Sequence, residues 1–191
     1  MDRFRRKLLE AIVFFSREVK NPTKMMMYKL LAELDSRHVS EKGFPSTDLD
    51  YEAWPLGPVP IELNEEITDK DAVTIPDDFG NSIGCERFDF EDKWGNPKHG
   101  FRFSARRKPD LSVFTPREQR ILEEVAEIYR TATATEASEA SHEPGKPWSK
   151  TPLGERIVFA KTVKLPKGIS AEEAEEMVQE IRGFHKTYQT K

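Results

Sequence analysis

Cys85-Glu86-Arg87-Phe88-Asp89-Phe90 and Gly100-Phe101-Arg102-Phe103-Ser104-Ala105 decide the fold class. Both runs alternate apolar and polar residues, the period of a strand, in a chain whose other apolar patterns are mostly helical. Glu91-Asp92-Lys93-Trp94-Gly95-Asn96-Pro97-Lys98-His99 lies between them and reads as a long, wet connection, so the pair is predicted as an antiparallel hairpin. Phe88 and Phe90 share one face of the first strand, and Phe101 and Phe103 share one face of the second. A two-stranded ribbon is marginal by itself, so both Phe faces are expected to pack on helices.

Upstream, Phe4, Leu8, Leu9, Ile12, Val13 and Phe15 recur at helical spacing and predict a helix over Arg3–Val19. Asn21-Pro22 reads as an N-cap with proline at the first helical position. The helix it starts carries Met26, Met27, Leu30, Leu31 and Leu34 and is expected to end near Asp35. The Met25-Met26-Met27 run reads as adaptable core filling rather than a partner groove. Residues 40–60 are rich in turn residues, with Trp54-Pro55-Leu56-Gly57-Pro58-Val59-Pro60 forced into extended backbone before each proline. A short helix over Ile61–Ile67, started by Pro58 or Pro60, follows, and then an acidic, irregular stretch over 68–82.

Downstream, Thr115-Pro116-Arg117-Glu118 combines a capping-box threonine, proline at the first position and glutamate three residues on. The helix it opens runs to about Arg130, with Ile121, Leu122, Val125, Ile128 and Tyr129 on one face. A shorter helix over Thr135–Ser141 is broken by His142-Glu143-Pro144-Gly145-Lys146-Pro147-Trp148. A strand is expected at Val158–Val163. Ser170-Ala171-Glu172-Glu173 is a second capping box, opening a last helix to about Thr187. The predicted fold is α+β and mainly helical, with a small antiparallel β-hairpin over about 84–106.

The chain has 191 residues, the size of one ordinary domain, and its aromatic share of 10% argues against disorder. The longest apolar run near the N-terminus, Ala11–Phe15, is too short to span a bilayer, so no membrane partner is expected. One cysteine, Cys85, excludes an internal disulfide and a cysteine-rich zinc site, and the chain reads as cytoplasmic. The net charge of −4 hides a segregation. Residues 33–92 carry seventeen acidic groups against four basic ones, between basic stretches at 1–32 and 93–115. Such a chain folds back and pairs with itself, or offers an acidic surface to a basic partner; the first reading takes precedence.

Enzyme signatures are absent: no phosphate-cradling glycine loop, nucleophile elbow or His-Glu-x-x-His occurs. No catalytic residue, metal site or cofactor is therefore expected. His142 beside Glu143 resembles half of a proton relay, but a histidine closing a helix C-terminus is the simpler reading. Cys85 reads as a small core residue. Glu65-Glu66 and Asp77-Asp78 read as solvated. Arg3, Arg5, Arg6 and Lys7, and again Arg102, Arg106, Arg107 and Lys108, form basic clusters that suit a nucleic-acid-binding regulator. The acidic middle would repel a polyanion, so that function ranks as the alternative.

Tyr51-Glu52-Ala53-Trp54-Pro55-Leu56-Gly57-Pro58-Val59 gives the chain its affinity to a known group. It resembles the Panacea domain, a family of phage-associated bacterial antitoxins of toxin–antitoxin pairs. The likeness begins with Lys29-Leu30-Leu31 and a short histidine-containing segment ending at Gly43. It continues through the Tyr51–Val59 box and a capped helix at Thr115–Arg130, and ends at Ser141-His142 and Pro147-Trp148. It covers about residues 5–150, taken as one domain over 1–150. Residues 151–191 are a C-terminal extension ending in a helix and expected to pack on that domain.

The resemblance implies a non-enzymatic antitoxin that binds and occludes a co-encoded toxin. Family toxins are diverse and include toxic small alarmone synthetases, and some relatives look like adaptors that present a bound partner to a protease. It also leaves self-association into a homo-oligomer open. The residues it points to are Tyr51, Trp54, Gly57, Pro58, Val59, His142, Pro147 and Trp148. Physically, Gly57-Pro58 suits a tight turn, and Trp54 buries a large ring whose indole N–H needs an acceptor. Tyr51 and Trp54 are expected to pack against His142 and Trp148, either as an internal staple or as a partner anchor.

Overall fold

The helix at the centre of the molecule is α2 (Lys24–Lys42), and its sequence is the least amphipathic because nearly every face of it is covered. In the structure, a computed structural model describing residues 1–67, 74–92 and 94–188, Met26, Met27, Tyr28, Leu30, Leu31 and Leu34 are all buried. α1 (Arg3–Glu18) packs alongside, opened by the Asp2 carboxylate accepting the Arg5 N–H at 2.7 Å.

The start of α2 departs from expectation. Its cap is Thr23, whose hydroxyl accepts the Met26 N–H at 3.3 Å, and not Asn21. Asn21 and Pro22 are used elsewhere: the Asn21 side chain accepts from Arg102 Nε, and the Pro22 carbonyl accepts the Phe103 N–H. α2 also runs past Asp35 to Lys42. The polar residues that seemed to end it, Asp35 and His38, are buried and hydrogen-bonded, and Gly43 closes the helix at φ 84° with its N–H on the Val39 carbonyl.

The turn-rich box forms a second hairpin that the sequence reading did not anticipate. β1 (Tyr51–Trp54) and β2 (Gly57–Pro60) pair antiparallel, with Trp54 opposite Gly57 and Pro55-Leu56 at the tip. Residues 154–157 run along the other edge of β1: the Ala53 N–H donates to the Glu155 carbonyl and the Ile157 N–H to the Tyr51 carbonyl. The short helix predicted after the box is α3 (Ile61–Glu66), preceded by Pro60. The irregular stretch expected over 68–82 lies partly outside the described residues; 77–79 form a single 3-10 turn.

The predicted ribbon is present and longer than the alternation suggests. β3 (Ile83–Glu91) and β4 (Pro97–Ala105) pair throughout, so the connection is short, with Asp92 accepting the backbone N–H groups of Trp94 and Asn96 at 2.9 Å. The register corrects the packing expectation. Cross-strand partners share a face. Phe103 lies opposite Cys85 and Phe101 opposite Arg87, whereas Phe88 lies opposite Gly100 and Phe90 opposite Lys98. The two Phe pairs therefore point to opposite sides. Phe103 is buried in the core, while Phe88 is half-buried and Phe90 is exposed. The Phe88 ring lies directly over Gly100, where a Cβ would meet it at 2.7 Å and push the ring aside.

α4 (Pro116–Tyr129) carries the predicted capping box, Thr115 and Glu118 each bonding the other's backbone N–H. α5 (Ala134–His142) has a second one from Thr133 and Glu136. The strand expected at Val158–Val163 is not formed. Its centre is α6 (Phe159–Thr162), where the Thr162 hydroxyl donates to the Val158 and Phe159 carbonyls. α7 (Ala171–Tyr188) follows the Ser170–Glu173 box and is held by Arg182, which donates to the side chains of Asp48 and Asp50. The architecture is α+β and mainly helical, with two small antiparallel sheets. Among the described residues no helix is long and apolar enough to cross a membrane.

Charge segregation resolves largely by self-pairing. Arg5 bonds Glu66 and Asp78, Arg120 bonds Glu41, Arg156 bonds Asp50, and Arg37 and Lys146 share Glu33.

Candidate partner-binding site

The site is built upward from a buried polar layer. Asp35 is fully buried and accepts four hydrogen bonds: from the Ser46 and Thr47 N–H groups, the Thr47 hydroxyl and the Tyr51 hydroxyl. Burial pushes its carboxyl up to about 6 against those donors, and burial beside Asp35 holds the Tyr51 phenol well above its ordinary range. Next to this layer Lys7 and Glu118 form an ion pair in which both side chains are almost wholly buried. Burial would raise the Glu118 carboxyl. Hydrogen bonds from Lys7, Ser46 and the Thr115 N–H win and hold it at about 2. Tyr51 thus anchors β1 to α2. Its ring packs edge-on against Phe159 at 5.4 Å and not against His142 or Trp148 as expected.

From this base the β1–β2 tip projects outward and is tied down from the α5 side. The Trp148 indole N–H donates to the Trp54 carbonyl at 2.8 Å, and the Ser138 hydroxyl donates to the Leu56 carbonyl at 2.8 Å. His142 stacks on Trp148 with ring centroids 3.7 Å apart. Trp54 itself meets Trp148 through its backbone, while its indole N–H donates to Glu52 at 3.1 Å. Gly57 has φ 109°, and a Cβ on it would lie 2.6 Å from Ser141 Oγ and 2.7 Å from Lys29 Cε. Pro58 and Val59 are buried, and Pro147 is half-buried beside Trp148. Of the residues singled out from sequence, Trp148, His142, Pro147, Gly57 and Pro58 make up the fastening, Tyr51 and Val59 lie in the core, and Trp54 reaches the surface.

The fastening presents an apolar surface. Trp54 and Leu56 are 41% and 60% exposed at the hairpin tip, and Phe90 is 46% exposed on the ribbon. These three, with Tyr28, Phe88 and Phe101, line a groove of about 690 Å³ between the tip and the ribbon. Its charged member, Lys24, turns its ammonium to the Ile67 carbonyl at 2.7 Å. A groove of this size and composition suits apolar anchors of another molecule. Leu56 and Phe90 were not singled out by sequence reading. The available signals were an aliphatic residue at a turn tip, and a Phe on the ribbon face that pairs with glycine and lysine.

The other candidate chemistries find little to build on. Arg6 bonds Asp110, Arg107 bonds Glu10, Arg106 bonds the Gly80 carbonyl and Arg102 lies over the Phe88 ring, so most of both basic clusters is engaged internally. Cys85 is half-buried and its thiol is pushed up to about 11 by burial, which keeps it protonated at neutral pH. Among the described residues no group of three or more His, Cys, Asp or Glu could hold a metal ion.

Comparison with known proteins adds one match. The chain matches no curated protein and no solved structure. Residues 27–149 match the family described as antitoxin SocA-like, Panacea domain, a span from α2 through the Trp148 fastening. With most of its core helix, its hairpin box and the residues that fasten the box inside that span, the chain belongs to the SocA-like Panacea-domain antitoxin family.

Proposed function

We propose that this protein is a non-enzymatic antitoxin that neutralises a co-encoded protein toxin by direct binding, covering the toxin's active or target-binding surface. Family membership supports the role. The observation that carries the location is the apolar groove whose rim exposes Trp54, Leu56 and Phe90. Large aromatic and aliphatic side chains standing beside a concave apolar surface are the usual anchors of protein interfaces. The Trp148–His142 fastening then serves binding indirectly, by holding the tip in one conformation and so lowering the ordering cost of association.

On this reading residues 151–188 belong to the same unit, since 154–157 hydrogen-bond along β1 and Ile157 and Phe159 join the core. Toxic small alarmone synthetases are one toxin class that fits the family. The protein acts in the cytoplasm, where such toxins have their targets.

Co-expression with the product of the neighbouring gene tests the role. Growth arrest by that product, relieved by this chain, is the expected result; no relief with any adjacent toxin counts against it. Trp54→Ala combined with Leu56→Ser tests the location. The pair is exposed, so the fold should stay within about 0.5 kcal/mol of the parent, while toxin affinity falls by about 30-fold or more. Unchanged affinity moves the interface elsewhere and leaves the antitoxin role standing.

A further inference from the structure

Beneath the Gly57-Pro58 turn sits a group that neither the fold nor the groove uses. Lys29 is 2% exposed, and its ammonium has no hydrogen-bond partner among the described residues. A buried cation without a partner is costly, and real structures seldom leave one so. Burial also pulls the amine down to about 8.

The carboxylate nearest in sequence on the same helix, Glu33, does not compensate it. Both Glu33 oxygens are held by Lys146 at 3.1 Å, and one also accepts from Arg37 at 2.8 Å. His142 Nε2 is likewise buried without a partner among the described residues, and its imidazole feels the Lys29 charge.

Lys29, Glu33, Ser36, Ser141, Lys146 and Trp148 help line a cavity of about 20 Å³. That exceeds the ~10–15 Å³ that one water-sized species needs. The lining brings two ammonium groups to one carboxylate that is already doubly paired. The Ser141 hydroxyl donates to the Ser138 carbonyl at 2.7 Å. Lys29 therefore brings an unpartnered ammonium to a cavity whose one carboxylate, Glu33, is already held by Lys146 and Arg37. A species that accepts hydrogen bonds and carries negative charge satisfies the donors and the charge of that ammonium at once.

We propose that this cavity is a site for a small monovalent anion of the halide class, held by Lys29 Nζ. The ion neutralises the ammonium under Gly57 and so firms the turn that carries Trp54 and Leu56. The site concerns the protein alone and stands whether or not the groove binds a toxin.

Crystals of the full chain soaked in sodium bromide, with data collected at the bromine absorption edge, provide the test. The expected result is an anomalous peak within about 3.5 Å of Lys29 Nζ. In solution, the melting temperature in sodium chloride or bromide should exceed that in sodium gluconate of equal ionic strength by roughly 2–4 °C. Lys29→Met should abolish that difference. A peak with no anomalous signal, meaning a water, together with a halide-independent melting temperature of the parent protein, overturns the proposal. Both readings on the parent protein hold even if Lys29→Met does not fold.

Discussion

Replacing Lys7 by methionine tests the buried layer on which the site rests. Lys7 in α1 reaches across to Glu118 in the first turn of α4, and the two side chains are 4% and 1% exposed. Lys7→Met keeps the chain length and packing but leaves a carboxylate buried without its cation. Loss of one partner of a buried pair costs about 3–5 kcal/mol. Glu118 would retain the Ser46 hydroxyl and the Thr115 N–H and hydroxyl, at 2.7, 2.8 and 2.9 Å. Those three donors place the expected loss at the lower end, about 3 kcal/mol.

For a chain of this length that corresponds to a fall in melting temperature of roughly 6–12 °C. The pH dependence gives a second handle. Glu118 titrates at about 2 in the folded protein against 4.5 ordinarily. A depressed carboxyl contributes stability that is fully present above 4.5 and is lost as pH falls through about 2, up to about 3 kcal/mol from this group. The lowered Lys7 amine, shifted by burial, works in the opposite sense, so the pair as a whole is worth less. Urea unfolding followed by circular dichroism, in a cycle with Glu118→Gln and the double variant, measures the coupling. The double variant should be more stable than the sum of the single losses by at least about 1 kcal/mol. A loss below about 1 kcal/mol for Lys7→Met, or strict additivity, would refute the assignment of this pair as a coupled buried bridge.

Three further outcomes follow from other groups. The Asp35 carboxyl is raised to about 6, so its contribution makes the protein less stable as pH rises from 3.8 to about 6, by at most about 3 kcal/mol; in Asp35→Asn that slope should vanish from denaturation curves taken across the window. Gly57→Ala should destabilise by more than about 1 kcal/mol, since φ is 109° and the new Cβ meets Ser141 and Lys29; a neutral result in thermal unfolding would mean the turn relaxes freely. Trp148→Phe should cost about 1 kcal/mol by removing the donor to the Trp54 carbonyl, and faster hydrogen exchange confined to residues 53–57 is the readout.

What could be read from sequence follows a physical line. α4 and α7 were legible because their capping boxes are local: the residues that bond one another lie three apart. The end of α2 was not, because Ser36, Arg37 and His38 look like a helix running into solvent, and only the loop at 44–47 makes Asp35 and His38 buried acceptor and donor. The β1–β2 hairpin was hidden by Pro55, Pro58 and Pro60, which correctly signal extended backbone but say nothing of which segment lies alongside. For the site, the box and the His142–Trp148 element were identified together, and the structure does bring them together. The contact runs through the Trp54 carbonyl, a backbone atom that no side-chain pattern announces. The exposure of Phe90 on the ribbon is not legible in sequence because strand alternation assigns faces within a strand, whereas the relative facing of two strands depends on their register.

That register has a consequence for how such a molecule changes allegiance over evolutionary time. The proximal half of β3–β4 is sealed into the interior by Phe103, while the distal half carries Phe90 outward. Substitutions in the outer half therefore disturb folding little, and on the proposed function they fall on the surface that meets the toxin. If that surface does meet the toxin, a lineage with this layout would exchange one adversary for another by rewriting a handful of codons at the end of a finger, leaving the body of the protein as it was.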